Sequence, residues 1–211
     1  MDQLGLVKSV YEELDRLKLL RFSKHLPDVP LSGIYLFFEK GETVLLDGKE
    51  INRIVRVGIN TSKASLPVRI RAHFNDCGVS IFRWHTCCAL LAKVNPNNPL
   101  LGTFRPYRQR ELRTMISKTF RERFTFKCIS VPDHYETLRL RHGLIALLAQ
   151  SPLGPPSKNW LGHYAIRLNK NVPNEKVRQS GLWNEHHLYS EPLTVYEFRR
   201  LQELISETIS K

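Results

Sequence analysis

The sequence predicts an α+β chain, and three observations carry that reading. Short β-branched and aromatic runs occur at 34–38, 54–57 and 124–131. Between them, apolar residues recur at helical spacing. Helix-start residues stand at Ser80, Asp133 and Thr194. With 211 residues, 42% hydrophobic and 25% charged, the composition is that of a globular rather than a disordered protein. The length suits one large domain or a domain with extensions.

Taken in order, Leu6, Val10, Leu14, Leu17 and Leu20 mark an amphipathic N-terminal helix over 3–21, its polar face mixed in sign. Pro27 and Pro30 break the chain before the first strand, Ile34–Phe38. Lys40-Gly41-Glu42 and Asp47-Gly48 are turn signals, so a hairpin or decorated loop is expected up to Arg53. Ile54–Val57 is the partner strand, ended by Gly58. Pro67 suits the first turn of a helix over Val68–Phe74, which makes Arg69 and His73 surface neighbours. Ser80 is a plausible cap for a helix carrying Ile81, Phe82, Ala89, Leu90 and Leu91, with Arg83 and Lys93 on its exposed side. A loop at Asn95–Pro99 leads to a long helix, about Tyr107–Phe124, with Leu112, Ile116, Phe120 and Phe124 on one face. A third strand follows at Phe124–Val131, then a helix from His134 to Gln150 capped by Asp133. Ser151–Ser157 is a Pro-rich loop, and 160–166 and 180–184 are irregular and aromatic-rich. Thr194 and Glu197 form a capping box for a C-terminal helix reaching about Ile209. The expected organisation is an N-terminal helix in 1–26, a central domain at 27–190 with a basic helical insertion at about 96–124, and a C-terminal helix in 191–211.

The net charge is +12, from 32 Lys+Arg against 20 Asp+Glu, and it is spread through folded-looking segments. Such an excess attracts polyanions, and nucleic acid is the expected partner. Around the long helix, Arg105, Arg108, Arg110, Arg113, Lys118, Arg121 and Arg123 are opposed only by Glu111 and Glu122. Arg71, Arg83, Arg105, Arg108, Arg113, Lys118 and Arg121 are the candidate phosphate contacts. Met1-Asp2-Gln3-Leu4 lacks the basic and apolar regions of a signal peptide, so a cytoplasmic location is expected. No apolar run approaches the ~20 residues that span a bilayer, and no membrane partner is expected. Cys77, Cys87, Cys88 and Cys128 form no C-x-x-C pair and read as free thiols. His73, Cys77, His85 and Cys87 match no standard zinc spacing.

Gly33-Ile34-Tyr35 on the first strand, Arg56-Val57-Gly58 at the end of the second, Arg69 and His73 on the next helix, and the late Trp183-Asn184 step resemble the GIY-YIG nuclease superfamily. The runs Ser80–Arg83, Leu144–Leu148, Trp160–Gly162 and Ser180–Asn184 are similar to a branch of standalone GIY-YIG domain proteins. The resemblance covers roughly residues 30–190. It implies a small three-stranded antiparallel sheet flanked by helices, here with N- and C-terminal helical extensions. It implies an endonuclease that binds DNA and hydrolyses phosphodiester bonds with Mg²⁺ or another divalent metal. Tyr35, Arg69, His73 and Asn184 take the catalytic positions: a base, a stabiliser of phosphorane charge, a group that orients water or phosphate, and an orienting amide.

Two positions depart from the family pattern. Arg56 stands at the second signature tyrosine, as in the similar branch. Arg141 stands where the family places its metal-binding glutamate, just before Leu144-Ile145, and a guanidinium repels Mg²⁺ rather than ligating it. Glu136, Glu175 and Glu185 are the candidate substitutes. The metal ligand is therefore unassigned, and the alternative reading is a nucleic-acid-binding module of the same fold with cleavage lost and no cofactor.

Overall fold

Asp47 and Gly48 both adopt positive φ, 48° and 75°, the two-residue turn that matches the twist of an antiparallel pair. They join β1 (Gly33–Leu46) to β2 (Lys49–Ile59). β3 (Phe124–Ser130) lies against the other side of β1, giving a three-stranded antiparallel sheet in the order β2-β1-β3. The computed structural model describes residues 2–60, 64–75, 80–102, 109–167, 170 and 172–210. Among these are seven α-helices: α1 (Gln3–Asp15), α2 (Leu66–Phe74), α3 (Ile81–Val94), α4 (Arg110–Arg123), α5 (His134–Gln150), α6 (Glu175–Ser180) and α7 (Val195–Ile209).

Period-2 alternation along β1 divides the core. Ile34, Leu36 and Phe38 face a cluster formed with Leu6, Val10 and Leu14 of α1, Leu144 and Ile145 of α5, and Leu201 and Leu204 of α7. Tyr35 and Phe37 face a second cluster with Ile70 and Phe74 of α2, Phe82 of α3, Ile116 and Phe120 of α4, and Trp160 and Trp183. The sheet is thus covered on both faces. Both edges are partly covered as well, which shortens the unpaired strand backbone. On β2, Trp183 N donates to Val55 O at 2.7 Å. On β3, Leu20 and Phe126 exchange backbone hydrogen bonds of 2.8 and 3.0 Å, and Ser130 N donates to Thr208 Oγ1.

The capping box at Thr194–Glu197 and the Asp133 and Ser80 caps are present as the sequence indicates. Three expectations need correction. The N-terminal helix ends at Asp15, and Leu20, read as helical, pairs with the edge of β3 instead. Lys40-Gly41-Glu42 is no hairpin turn: β1 runs through it with a register shift between Phe38 and Thr43. Glu42 is buried there because its carboxylate accepts from Ser157 N and Oγ. Arg83 is buried, not exposed, because α3 is enclosed on most sides and the guanidinium finds acceptors in the His73, Phe74 and Arg113 carbonyls and the Ser117 hydroxyl. The expected helix start at Tyr107 lies outside the described residues, and α4 begins at Arg110.

Gly33 is fixed twice over. Its φ is +143°, and an added Cβ would lie 1.9 Å from Ile129 O. Left-handed strain and overpacking each cost about 1–3 kcal/mol. Gly33→Ala is expected to lower stability by about 2–6 kcal/mol in a denaturant melt, or to prevent folding.

Candidate functional site

The site forms where β1 begins and β2 ends. Tyr35 opposes Gly58 across the β1–β2 pair, and its ring lies over that residue: a Cβ on Gly58 would meet Tyr35 Cζ at 2.1 Å and Oη at 2.2 Å. The Gly at this position is what lets the phenol lie down on the sheet. Tyr35 Oη is 2.7 Å from His73 Nε2, contributed by α2. The other imidazole nitrogen, Nδ1, is 2.6 Å from Ser80 Oγ. Ser80 also caps α3, accepting from Arg83 N at 3.1 Å. All three side chains are buried. Burial, followed by the charges of Arg69, Arg56 and Arg83, pushes His73 well below the usual histidine range, so the imidazole is neutral.

Three half-buried arginines surround this pair. Arg56 donates to Trp183 O at 2.8 Å and stacks 4.6 Å from the Phe82 ring centroid. Burial pushes its guanidinium down, while Tyr35 favours the charged form and Arg69 opposes it. Arg141, from α5, is likewise pushed down by burial and feels Arg56, Tyr35 and Arg69. The structure therefore brings Tyr35, Arg56, Arg69, His73 and Arg141 together from β1, β2, α2 and α5. Arg56 Nε and Arg141 Nε are buried and have no hydrogen-bond partner among the described residues.

Asn184 is anchored to the edge of β2. It is buried, with Val57 N donating to its Oδ1 at 3.0 Å and its Nδ2 donating to Val57 O at 2.9 Å. Both ends of the amide fasten the 183–184 segment to the edge of β2, while the second Nδ2 hydrogen and the second Oδ1 lone pair are not used by Val57.

The carboxylates do not assemble a metal site. Glu136 is taken by Arg200 of α7 at 2.9 Å, and Glu175 is exposed, 3.9 Å from Arg178. Glu185 is the one that influences the cluster, through Arg56. It accepts from Asn174 Nδ2 at 2.5 Å and lies 3.1 Å from His85 Nε2, a close but poorly aligned contact. That contact, more than the Asn174 bond, holds its carboxyl at about 2. No group of three or more His, Cys, Asp or Glu side chains fit to hold a metal occurs among the described residues, and Cys77 of the rejected zinc spacing lies outside them. A hard divalent cation needs several oxygen ligands, and three guanidiniums around a phenol are the opposite donor set. The described residues do not fit the metal.

Cations extend the charge beyond the site. Arg113, Lys118 and Arg121 are exposed on α4, and Arg71 is half-buried on α2. Arg121 donates to Asn75 Oδ1 at 2.8 Å, which ties α4 to the C-terminal end of α2. Arg83 drops out of this set because its guanidinium is buried and bonded. Arg105 and Arg108 lie outside the described residues. Sequence reasoning missed Ser80 as a partner of His73: the sequence marks it only as a helix cap. It also missed the stacked His142 and His187 rings, 3.5 Å apart, whose titration is influenced by Arg141; nothing in their spacing announces the pair.

The profile of a family described as GIY-YIG domain matches residues 3–211. No curated protein and no solved structure matches the chain.

A buried neutral histidine links stability to pH. The imidazole titrates near 6.5 when unfolded and well below that in the fold, so the unfolded chain binds the extra proton as the pH falls below about 6.5. Stability is expected to be complete above that value and to decline towards pH 5, with partly exposed His142 and His187 adding in the same direction. Glu185 acts lower, between its ordinary value of 4.5 and about 2. Thermal melts at pH 7.5 and 5 should show a smaller acid loss for His73→Gln than for the native chain, although the variant is less stable at both.

Proposed function

We propose, from the premise that the chain belongs to the GIY-YIG domain family, that it is a nucleic-acid-binding member whose Tyr35 site takes a DNA phosphodiester on arginines instead of on a divalent metal. The family is nuclease-like. In this chain the reading is carried by one observation, the two buried guanidinium Nε–H donors of Arg56 and Arg141 that have no acceptor among the described residues. Buried donors in native proteins are almost always paired, and a phosphate oxygen is the acceptor that planar guanidiniums fit best. Arg69 supplies a third charge beside the same phenol. The exposed cations of α4 and half-buried Arg71 of α2 would hold the flanking backbone, a sequence-independent contribution that weakens with salt.

Within this reading Tyr35, His73 and Arg69 bind and orient one phosphate, and Arg141 neutralises charge that a metal would otherwise meet. No step runs through Mg²⁺. A second reading, hydrolysis, draws on the surviving Tyr35–His73 contact, the pairing that a proton-transfer site requires.

The test is fluorescence anisotropy with a labelled duplex, alongside plasmid nicking. Binding is expected to be equal in EDTA and in Mg²⁺ and to fall steeply with salt. Arg69→Ala and Arg141→Ala should each weaken it by about tenfold, the scale of a lost charge-assisted hydrogen bond. Lys118→Ala should reduce the salt slope by about 0.9. Metal-dependent nicking that disappears in Tyr35→Phe would overturn the metal-free reading in favour of hydrolysis. Absence of binding at low salt would overturn both.

A further inference from the structure

We infer that Ser80 is a positioning residue that fixes His73 in its Nε2–H tautomer, so that His73 donates to Tyr35 Oη and turns the phenol's own hydrogen outward, towards the anion the site receives. The argument is a count of donors and acceptors, and it deepens the phosphate-binding reading above, on which its last step rests.

Ser80 Oγ has two partners among the described residues. One is Arg83 N, which can only donate, at 3.1 Å. The other is His73 Nδ1 at 2.6 Å. A hydroxyl carries one hydrogen and two lone pairs. With Arg83 N–H on one lone pair, the acceptor that meets the Ser80 hydrogen among the described residues is His73 Nδ1. If Nδ1 carried the proton instead, Ser80 would receive two donors and its own hydrogen would be left unbonded in a site with no solvent exposure, the costly arrangement for a buried polar group. Ser80 therefore donates to Nδ1, and the proton of the neutral imidazole resides on Nε2.

The polarity passes on. Nε2–H lies 2.7 Å from Tyr35 Oη and donates to it. The remaining neighbour of the phenol oxygen, Arg56, has only donors to offer. The Tyr35 hydrogen then has no acceptor among the described side chains that meet it. It is offered to a bound phosphate oxygen, alongside Arg56, Arg69 and Arg141. A site built this way presents donors alone, which rejects hard cations and selects an anionic acceptor.

Ser80 performs this while capping α3, so the two roles must be separated. The primary measurement is the protonation pattern of His73, read from long-range ¹H–¹⁵N correlations on the intact protein labelled at histidine nitrogen, at pH 7 and without nucleic acid. The expected result is a neutral ring protonated at Nε2. A ring protonated at Nδ1, or at both nitrogens, overturns the inference whatever the DNA assay shows, and so tests it apart from the phosphate-binding reading. Ser80→Ala removes cap and donor together, and the ratio of Nε2–H to Nδ1–H should fall by about tenfold. Ser80→Asp keeps an oxygen to cap the helix but can only accept when ionised, and should move the proton to Nδ1. Ser80→Thr keeps both functions and should restore the native pattern. A native pattern in Ser80→Asp would show that Ser80 does not set the tautomer. If Ser80→Ala does not fold, the native spectrum and the Asp and Thr variants still decide the matter.

Discussion

The site depends on one buried hydrogen bond, between Tyr35 on the first strand and His73 on the second helix. The phenol reaches His73 only because Gly58 has no Cβ where the ring lies, and the strand starts where it does because Gly33 alone fits against Ile129 O. His73 in turn stays neutral because it is enclosed and ringed by guanidiniums. Each of these conditions is local, yet together they join β1, β2, α2 and the cap of α3 into a single rigid unit. The aromatic packing of Phe37 and Phe82 around His73 seals that unit from below.

Above the pair the chemistry is decided by charge. Arg56, Arg69 and Arg141 converge on a phenol, and the nearest influential carboxylate, Glu185, is engaged by Asn174 and His85. Guanidiniums repel one another, and burial disfavours their charge, so the cluster carries electrostatic strain that an anion would relieve. The same physics makes the site a poor host for Mg²⁺. On the metal-free proposal Arg141 is the decisive position, and its placement is built into the tertiary structure: α5 packs Leu144 and Ile145 into the core beneath the sheet.

The α+β class, the three strands, the capped helices and the Tyr35, Arg69 and His73 positions were legible because each leaves a short-range mark: alternation, a cap residue, or a motif with fixed spacing. Arg83 was misread since charge in a helix ordinarily means exposure, although α3 is apolar nearly all round and such a helix is buried. Glu42 in the middle of a strand was illegible because its partner, Ser157, is 115 residues away. The role of Ser80 was hidden for a similar reason: a helix cap reads the same whether or not its hydroxyl also meets a histidine. The anchoring of Asn184 to Val57 is likewise invisible in the sequence, because the two residues are 127 positions apart.

The central claim is that arginine has displaced the metal at the Tyr35 site. Paramagnetic broadening of the His73 imidazole resonances by Mn²⁺ tests it most directly, comparing the native chain with Arg141→Glu. The native His73 signals should be unaffected, and those of Arg141→Glu should broaden as a carboxylate replaces the repelling charge. Broadening of His73 in the native protein at low Mn²⁺ would contradict the account.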